Sequence, residues 1–157
     1  MPYYRKIDTE IIRNEVLYMK VYCHAHPLVA IRPMLRRHNI IRASDLRRLK
    51  TDDIVRLTGL QIIYHTPPTK SGKRVMFLTL EDETGLFDVV VFENVQKRFA
   101  KTILTSQTLT IEGTLQRRGV NGKAISVILK RVLLNLSGSL ISLLDKSELE
   151  SANKSNQ

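Results

Sequence analysis

Cysteine is nearly absent: Cys23 stands alone, so no internal disulfide can form. That suits a reducing compartment. Tryptophan is missing and aromatics make up 6% of the 157 residues. Any aromatic at a surface position is therefore worth locating. No apolar run approaches the 18 residues of a membrane-spanning helix, and no signal peptide is recognisable at the start. The expectation is a cytoplasmic protein with no membrane partner. Acidic residues are scarce beside basic ones: net charge is +10 and the pI is near 10.0. The excess lies in residues 1–135, while the tail from 136 is slightly acidic. A polyanionic partner is expected, nucleic acid before any other, against the plainer alternative of a solvated basic surface.

What is present is a chain whose hydrophobic period changes once. Its 43% hydrophobic content supports a real core. Residues 8–22 have roughly helical spacing, and His24-Ala25-His26-Pro27 interrupts it. Residues 28–38 suggest a second helix with Ile31, Met34 and Leu35 inward and Arg32, Arg36 and Arg37 outward. Pro33 would fit only its first turn. Ser44 reads as the cap of a short helical turn over 45–49, followed by a turn at Thr51-Asp52-Asp53.

From residue 53 the period becomes that of strands. Residues 53–63 form a first strand with Gly59 at a bend or bulge. Residues 64–73 are a loop marked by Pro67-Pro68 and Ser71-Gly72. Residues 74–81 and 86–92 form a hairpin turning at Asp82-Glu83-Thr84-Gly85, where Gly85 can take a positive φ. Met76, Leu78 and Leu80 share one face of its first strand, and Val75, Phe77 and Thr79 the other. Phe87, Val89 and Val91 face away from Leu86, Asp88 and Val90. A helix over 93–105, a strand over 107–115, a turn over 116–123 and a fifth strand over 124–134 follow. Residues 140–144 read as a short apolar helix or docking segment, and the polar stretch from 146 as disorder. No internal repeat is visible.

Three strands, a helix and two strands is the order of an OB-fold, a five-stranded Greek-key barrel, in an α+β chain that is mainly β. The expected divisions are a helical N-terminal region over 1–52, the barrel over 53–135 and a C-terminal extension over 136–157. Such barrels bind oligonucleotides on strands two and three, between the loops joining strands 1–2 and 4–5. Phe77, with Thr79 and Asp88 beside it, is the candidate base-stacking site; the alternative is a ring covered by residues 1–50. Lys70, Lys73 and Arg74 in the first loop, and Arg117, Arg118 and Lys123 in the second, are candidate phosphate contacts. Arg36, Arg37, Arg47 and Arg48 form a second basic group, read as a solvated helix face.

Chemistry beyond binding finds little support. Cys23, His24 and His26 lack a fourth ligand at any zinc spacing, and His38 and His65 are isolated. Asp82 and Glu83 are explained as turn residues. No phosphate-cradling glycine loop and no nucleophile–base grouping occurs. No enzyme activity, metal, cofactor or small-molecule substrate is expected.

Residues 73–92, with Gly59 before them and Glu112-Gly113 after, resemble the OB region of bacterial C-family DNA polymerases, the DNA polymerase III alpha subunits. The likeness is greatest to the error-prone branch. It rests on Thr79-Leu-Glu-Asp-Glu-Thr-Gly85, the valines at 89–91, His26-Pro27-Leu28, Arg32-Pro33-x-Leu35, Ser44-Asp45-Leu46 and Val55-Arg56-x-x-Gly59. It spans roughly residues 16–134 and includes a segment similar to the end of a helix–hairpin–helix region. Class II aminoacyl-tRNA synthetases carry a similar hairpin, whose phenylalanine at the position of Phe77 stacks a base. The resemblance implies a detached accessory domain, or part of a split or truncated polymerase, that binds single-stranded DNA. It does not imply nucleotidyl transfer, because the polymerase catalytic body is far larger than this chain. Two other readings stay open: a protein-interaction module that docks a polymerase or clamp through residues 140–144, and an RNA- or tRNA-binding module.

Overall fold

The computed structural model describes residues 8–19, 25–68 and 70–155. Cys23 and His24 lie outside them. Alternation drives strand formation from residue 54 onward. The five strands are β1 (Ile54–His65), β2 (Met76–Asp82), β3 (Gly85–Val91), β4 (Thr108–Arg118) and β5 (Ala124–Val132). They close into a barrel in the order β1-β2-β3-β5-β4, with β4 returning to β1. Of these five strands, β3 and β5 are the pair that runs parallel. This is the OB-fold that the order of elements predicts, and closure leaves no free sheet edge. Met76, Leu78, Leu80, Phe87, Val89 and Val91 all point into the barrel, as their alternation requires. Val55, Leu57, Leu109, Ile111, Leu115, Val127 and Leu129 complete that core.

Gly59 has a different role from the predicted bend. The register shift of β1 falls between Gln61 and Ile63. A Cβ at Gly59 would lie 2.8 Å from Leu80 Cβ and 3.0 Å from the Phe87 ring, so glycine is needed for close packing inside the barrel. Gly85, with φ of 145°, carries the hairpin turn as expected.

The helices are α1 (Thr9–Asn14), α2 (Pro27–Arg37), α3 (Glu93–Thr105) and α4 (Leu140–Ser155). Asp8 caps α1, which runs into a π-helical turn over Glu15–Met19. His26 caps α2 by accepting the Leu28 N–H, and Pro27 occupies the first turn. Pro33 lies inside α2 rather than in its first turn. It sits on the exposed side, where water can serve the carbonyl its missing N–H leaves. The expected Ser44 cap is replaced. Residues Ala43–Arg48 form a 3-10 helix, with Asp45 accepting the Arg42 N–H. The Ala43 and Ser44 N–H groups bond Asp82 Oδ2 (2.6 Å) and Thr84 Oγ1 (3.0 Å) instead.

Arg32 departs most from expectation. It is buried, not outward, at 5% exposure. Its Nε donates to Glu83 Oε2 at 3.0 Å, and its Nη2 to Glu83 Oε1. Asp82 Oδ2 is 3.8 Å from Nη2, and the carbonyls of Ile40 and Ile41 accept from Nη1. Asp82, itself buried, also accepts the N–H groups of Thr84 and Gly85. The acidic turn that looked merely local thus docks α2 and the 3-10 helix onto the β2–β3 hairpin.

The C-terminal tail also differs from the predicted disorder, since α4 continues to Ser155. Leu140, Leu143 and Leu144 pack with Leu28, Ile31, Met34 and Leu35 of α2, and with Leu60 of β1, in a second apolar cluster. Asp145 pairs with Arg13, and Glu150 with Arg37 and His38, which holds the polar half of the helix. The stretch 140–144 is therefore occupied within the chain rather than offered as a docking segment. Among the described residues no helix is long and apolar enough to cross a membrane.

On the outer side of β1, β4 and β5, Glu112 joins Arg56 (2.7 Å) and Arg131 (3.0 Å). Hydrogen bonds from Arg131 and then Arg56 hold its pKa below the ordinary 4.5. A depressed carboxylate pKa adds stability that is present above the unfolded value and lost as pH falls through the folded one. Urea midpoints measured from pH 6 downward should therefore fall more steeply in the wild type than in Glu112→Gln. Arg32→Ala leaves the buried Asp82 and Glu83 carboxylates without their cation. It should cost about 3 kcal/mol in urea unfolding.

Candidate nucleic-acid interface

The outward residues of β2 and β3 form rows across the sheet. His65 of β1, Phe77 of β2 and Val90 of β3 are register partners in one row. Ile63, Thr79, Asp88 and Ser126 form the next, running onto β5. The His65 and Phe77 rings stack with centroids 5.3 Å apart and planes at 19°. Phe77 is half-buried. It lines a groove of ≈ 320 Å³ whose other walls include Thr79, Asp88, Val90, Arg118 and Ser126. Among the described residues, none of its lining comes from the N-terminal helices.

Thr79 Oγ1 donates to Asp88 Oδ1 at 3.0 Å. Asp88 has no cationic partner among the described residues. Its carboxylate is held by a hydroxyl and remains exposed.

A second hollow, of ≈ 630 Å³, continues the same face beyond Val75, two residues before Phe77. Lys73, Arg74, Phe92, Glu93 and Lys97 line it. The Gln96 amide donates to the carbonyls of Arg74 and Val91, fixing the first turn of α3 against the end of the β1–β2 loop. The two hollows each hold a phenylalanine and at least one cation, Phe77 with Arg118 in one and Phe92 with Lys73, Arg74 and Lys97 in the other.

The predicted residues divide accordingly. Phe77, Thr79, Asp88 and Arg118 meet in the groove, and Lys73 and Arg74 in the second hollow. Lys70 and Lys123 are exposed and line neither. Arg117 does not fit a phosphate-contact role. Its guanidinium donates to the carbonyls of Leu46, Leu49, Arg47 and Gly122, tying the β4–β5 loop to the 3-10 helix. Arg118 instead is exposed and lines the groove. In the other basic group, Arg36, Arg47 and Arg48 are exposed, and Arg37 pairs with Glu150.

His65, Phe92 and Lys97 are the additions that sequence reasoning missed. Two had a usable signal. Phe92 shares parity with Asp88 and Val90, and His65 shares parity with Ile63 once β1 is carried past residue 63.

The closed five-stranded barrel is the architecture of nucleic-acid-binding OB modules, and the family comparison agrees. The profile of the tRNA anti-codon family, described as an OB-fold nucleic acid binding domain, matches residues 55–134. The chain belongs to that family. It is also similar to the error-prone DNA polymerase of Symbiobacterium thermophilum, at 35% identity over 125 residues. That match takes in 74% of this chain and 11% of the polymerase. The error-prone DNA polymerase of Alkalilimnicola ehrlichii is 38% identical over 94 residues, 60% of this chain and 9% of the other. The chain thus spans about a tenth of the length of these relatives. Among solved structures, asparaginyl-tRNA synthetase from Pyrococcus horikoshii aligns at 20% identity with a TM-score of 0.47, over 59% of this chain and 21% of that one.

The two adjacent arginines should separate cleanly on mutation. Arg117→Ala strips donors from four carbonyls and should lower the thermal midpoint by several degrees. Arg118→Ala should leave it within about a degree, since surface changes away from packed features cost little. Differential scanning fluorimetry reads both.

Proposed function

We propose that this chain is a non-catalytic module that binds single-stranded nucleic acid along the outward face of β2 and β3. The observation that carries this reading is the open flank of Phe77, whose groove is walled by β3 and the β4–β5 hairpin and bordered by Arg118. Bases stack on Phe77, with His65 bracing the ring from β1. Phosphates follow Arg74, Lys73 and Lys97 at one end and Arg118 at the other. Phe92, 41% exposed in the second hollow, gives a further apolar surface for a neighbouring base or sugar. DNA is the preferred strand type, because the relatives matched over most of the chain are DNA polymerases. The module then acts beside a polymerase body of the error-prone type. Preference for single strands follows from exposed ring faces, which paired and stacked bases cannot reach.

Fluorescence anisotropy with labelled oligo(dT), oligo(U) and duplex DNA at about 50 mM salt tests this. Stacking on an aromatic ring contributes about 1–3 kcal/mol per base, so Phe77→Ala should weaken oligo(dT) binding by roughly 5- to 150-fold with the fold intact. Each phosphate contact adds about 0.7 to the log–log salt slope, so Arg118→Ala should reduce the slope by about that amount. Tighter binding of oligo(U) would assign the module to RNA. Unchanged affinity in Phe77→Ala, or no binding by the wild type, would overturn the reading and favour a protein-interaction module.

A further inference from the structure

We infer that the groove beside Phe77 reads the base it stacks, favouring bases that carry an exocyclic amine over thymine and uracil, with Asp88 as the discriminating residue. This rests on the proposed binding of single strands to the same face. The starting point is Asp88, an anionic side chain lining the Phe77 groove itself, with Arg118 on the same lining. A carboxylate there repels phosphate, so it serves binding only if what approaches it is a donor. Asp88 is not neutralised by any cation among the described residues, and it accepts a hydrogen bond from the hydroxyl of Thr79, at 3.0 Å.

The register supplies the geometry. Asp88 sits one outward row from Phe77, at about 7 Å along the strands. Thr79 flanks it on β2 and Ser126 on β5. A base lying on the Phe77 ring extends its hydrogen-bonding edge over that row. Because the Thr79 hydroxyl proton is directed at Oδ1, the pair presents acceptors to the ligand: the second carboxylate oxygen and the remaining lone pairs. Cytosine and adenine offer an amine to such acceptors, and guanine an amine with an adjacent ring N–H. Thymine and uracil offer one ring N–H between two carbonyls, and those carbonyls face the carboxylate unfavourably. The cost of a mismatched edge comes from leaving the exposed but oriented carboxylate against like partial charge.

Anisotropy titrations with (dC)12 and (dT)12 at fixed salt, on the full chain, test this. The wild type should bind (dC)12 about tenfold more tightly than (dT)12, the scale of one hydrogen bond to a charged group. Asp88→Asn keeps the shape and supplies an amide that can donate to the thymine carbonyls. It should bring the two affinities within about twofold. Thr79→Val, which frees Oδ1, should reduce the ratio less. Equal wild-type affinities for the two strands overturn base reading while leaving strand binding intact. So does an Asp88→Asn variant that gains affinity for both strands by the same factor, which would mark Asp88 as phosphate repulsion alone. Failure of both strands to bind the wild type removes the underlying reading and this one with it.

Discussion

One guanidinium decides which side of the barrel stays open. Arg32 reaches from α2 into the turn of the β2–β3 hairpin and meets Glu83 and Asp82 there. Breaking such a buried pair is far more costly than losing a surface ion pair, because the remaining carboxylates lose their cation in a dry site. The clamp seats the N-terminal helices at the tip of the hairpin. Phe77 lies toward the hairpin's other end, paired with Val90 and not with the turn. The helical layer and the proposed binding groove therefore share a hairpin without competing for the same face.

The helical layer is built from both ends of the chain. α2 and α4 are far apart in sequence but share one apolar cluster, which also covers Leu60 of β1. Ion pairs from Arg13 and Arg37, and a hydrogen bond between His38 and Glu150, close its rim against α4. The exposed pairs add little individually. Their effect is to align a helix whose first turn already buries leucines.

The same economy explains the division of labour between neighbouring arginines. Alternation along β4 turns Arg117 toward the 3-10 helix and Arg118 toward the groove. In a strand, adjacent side chains cannot serve the same face. A basic loop counted as one patch in the sequence is thus half scaffold and half interface. Phosphate binding, if carried by charge count alone, would have included both.

Much of the barrel was legible in the primary structure. Strict alternation marked β2 and β3, glycine and asparagine marked the turns, and the spacing of Val95, Phe99 and Ile103 marked α3 at its observed ends. The pairing of Phe77 with Thr79 and Asp88 on one face followed from parity. Local rules failed where the partner was remote. Arg32 looked solvated because its carboxylates are some fifty residues away, and residues beyond 146 looked disordered because the partners of Glu150 lie at the end of α2. His65 looked isolated because only strand pairing brings it to Phe77. Periodicity, which depends on bonded geometry alone, determined the five strands, α3 and the apolar residues that face the barrel core. Which charges were buried, which ring was braced and which flank stayed uncovered depended on contacts between distant segments, and those form only when the chain closes on itself.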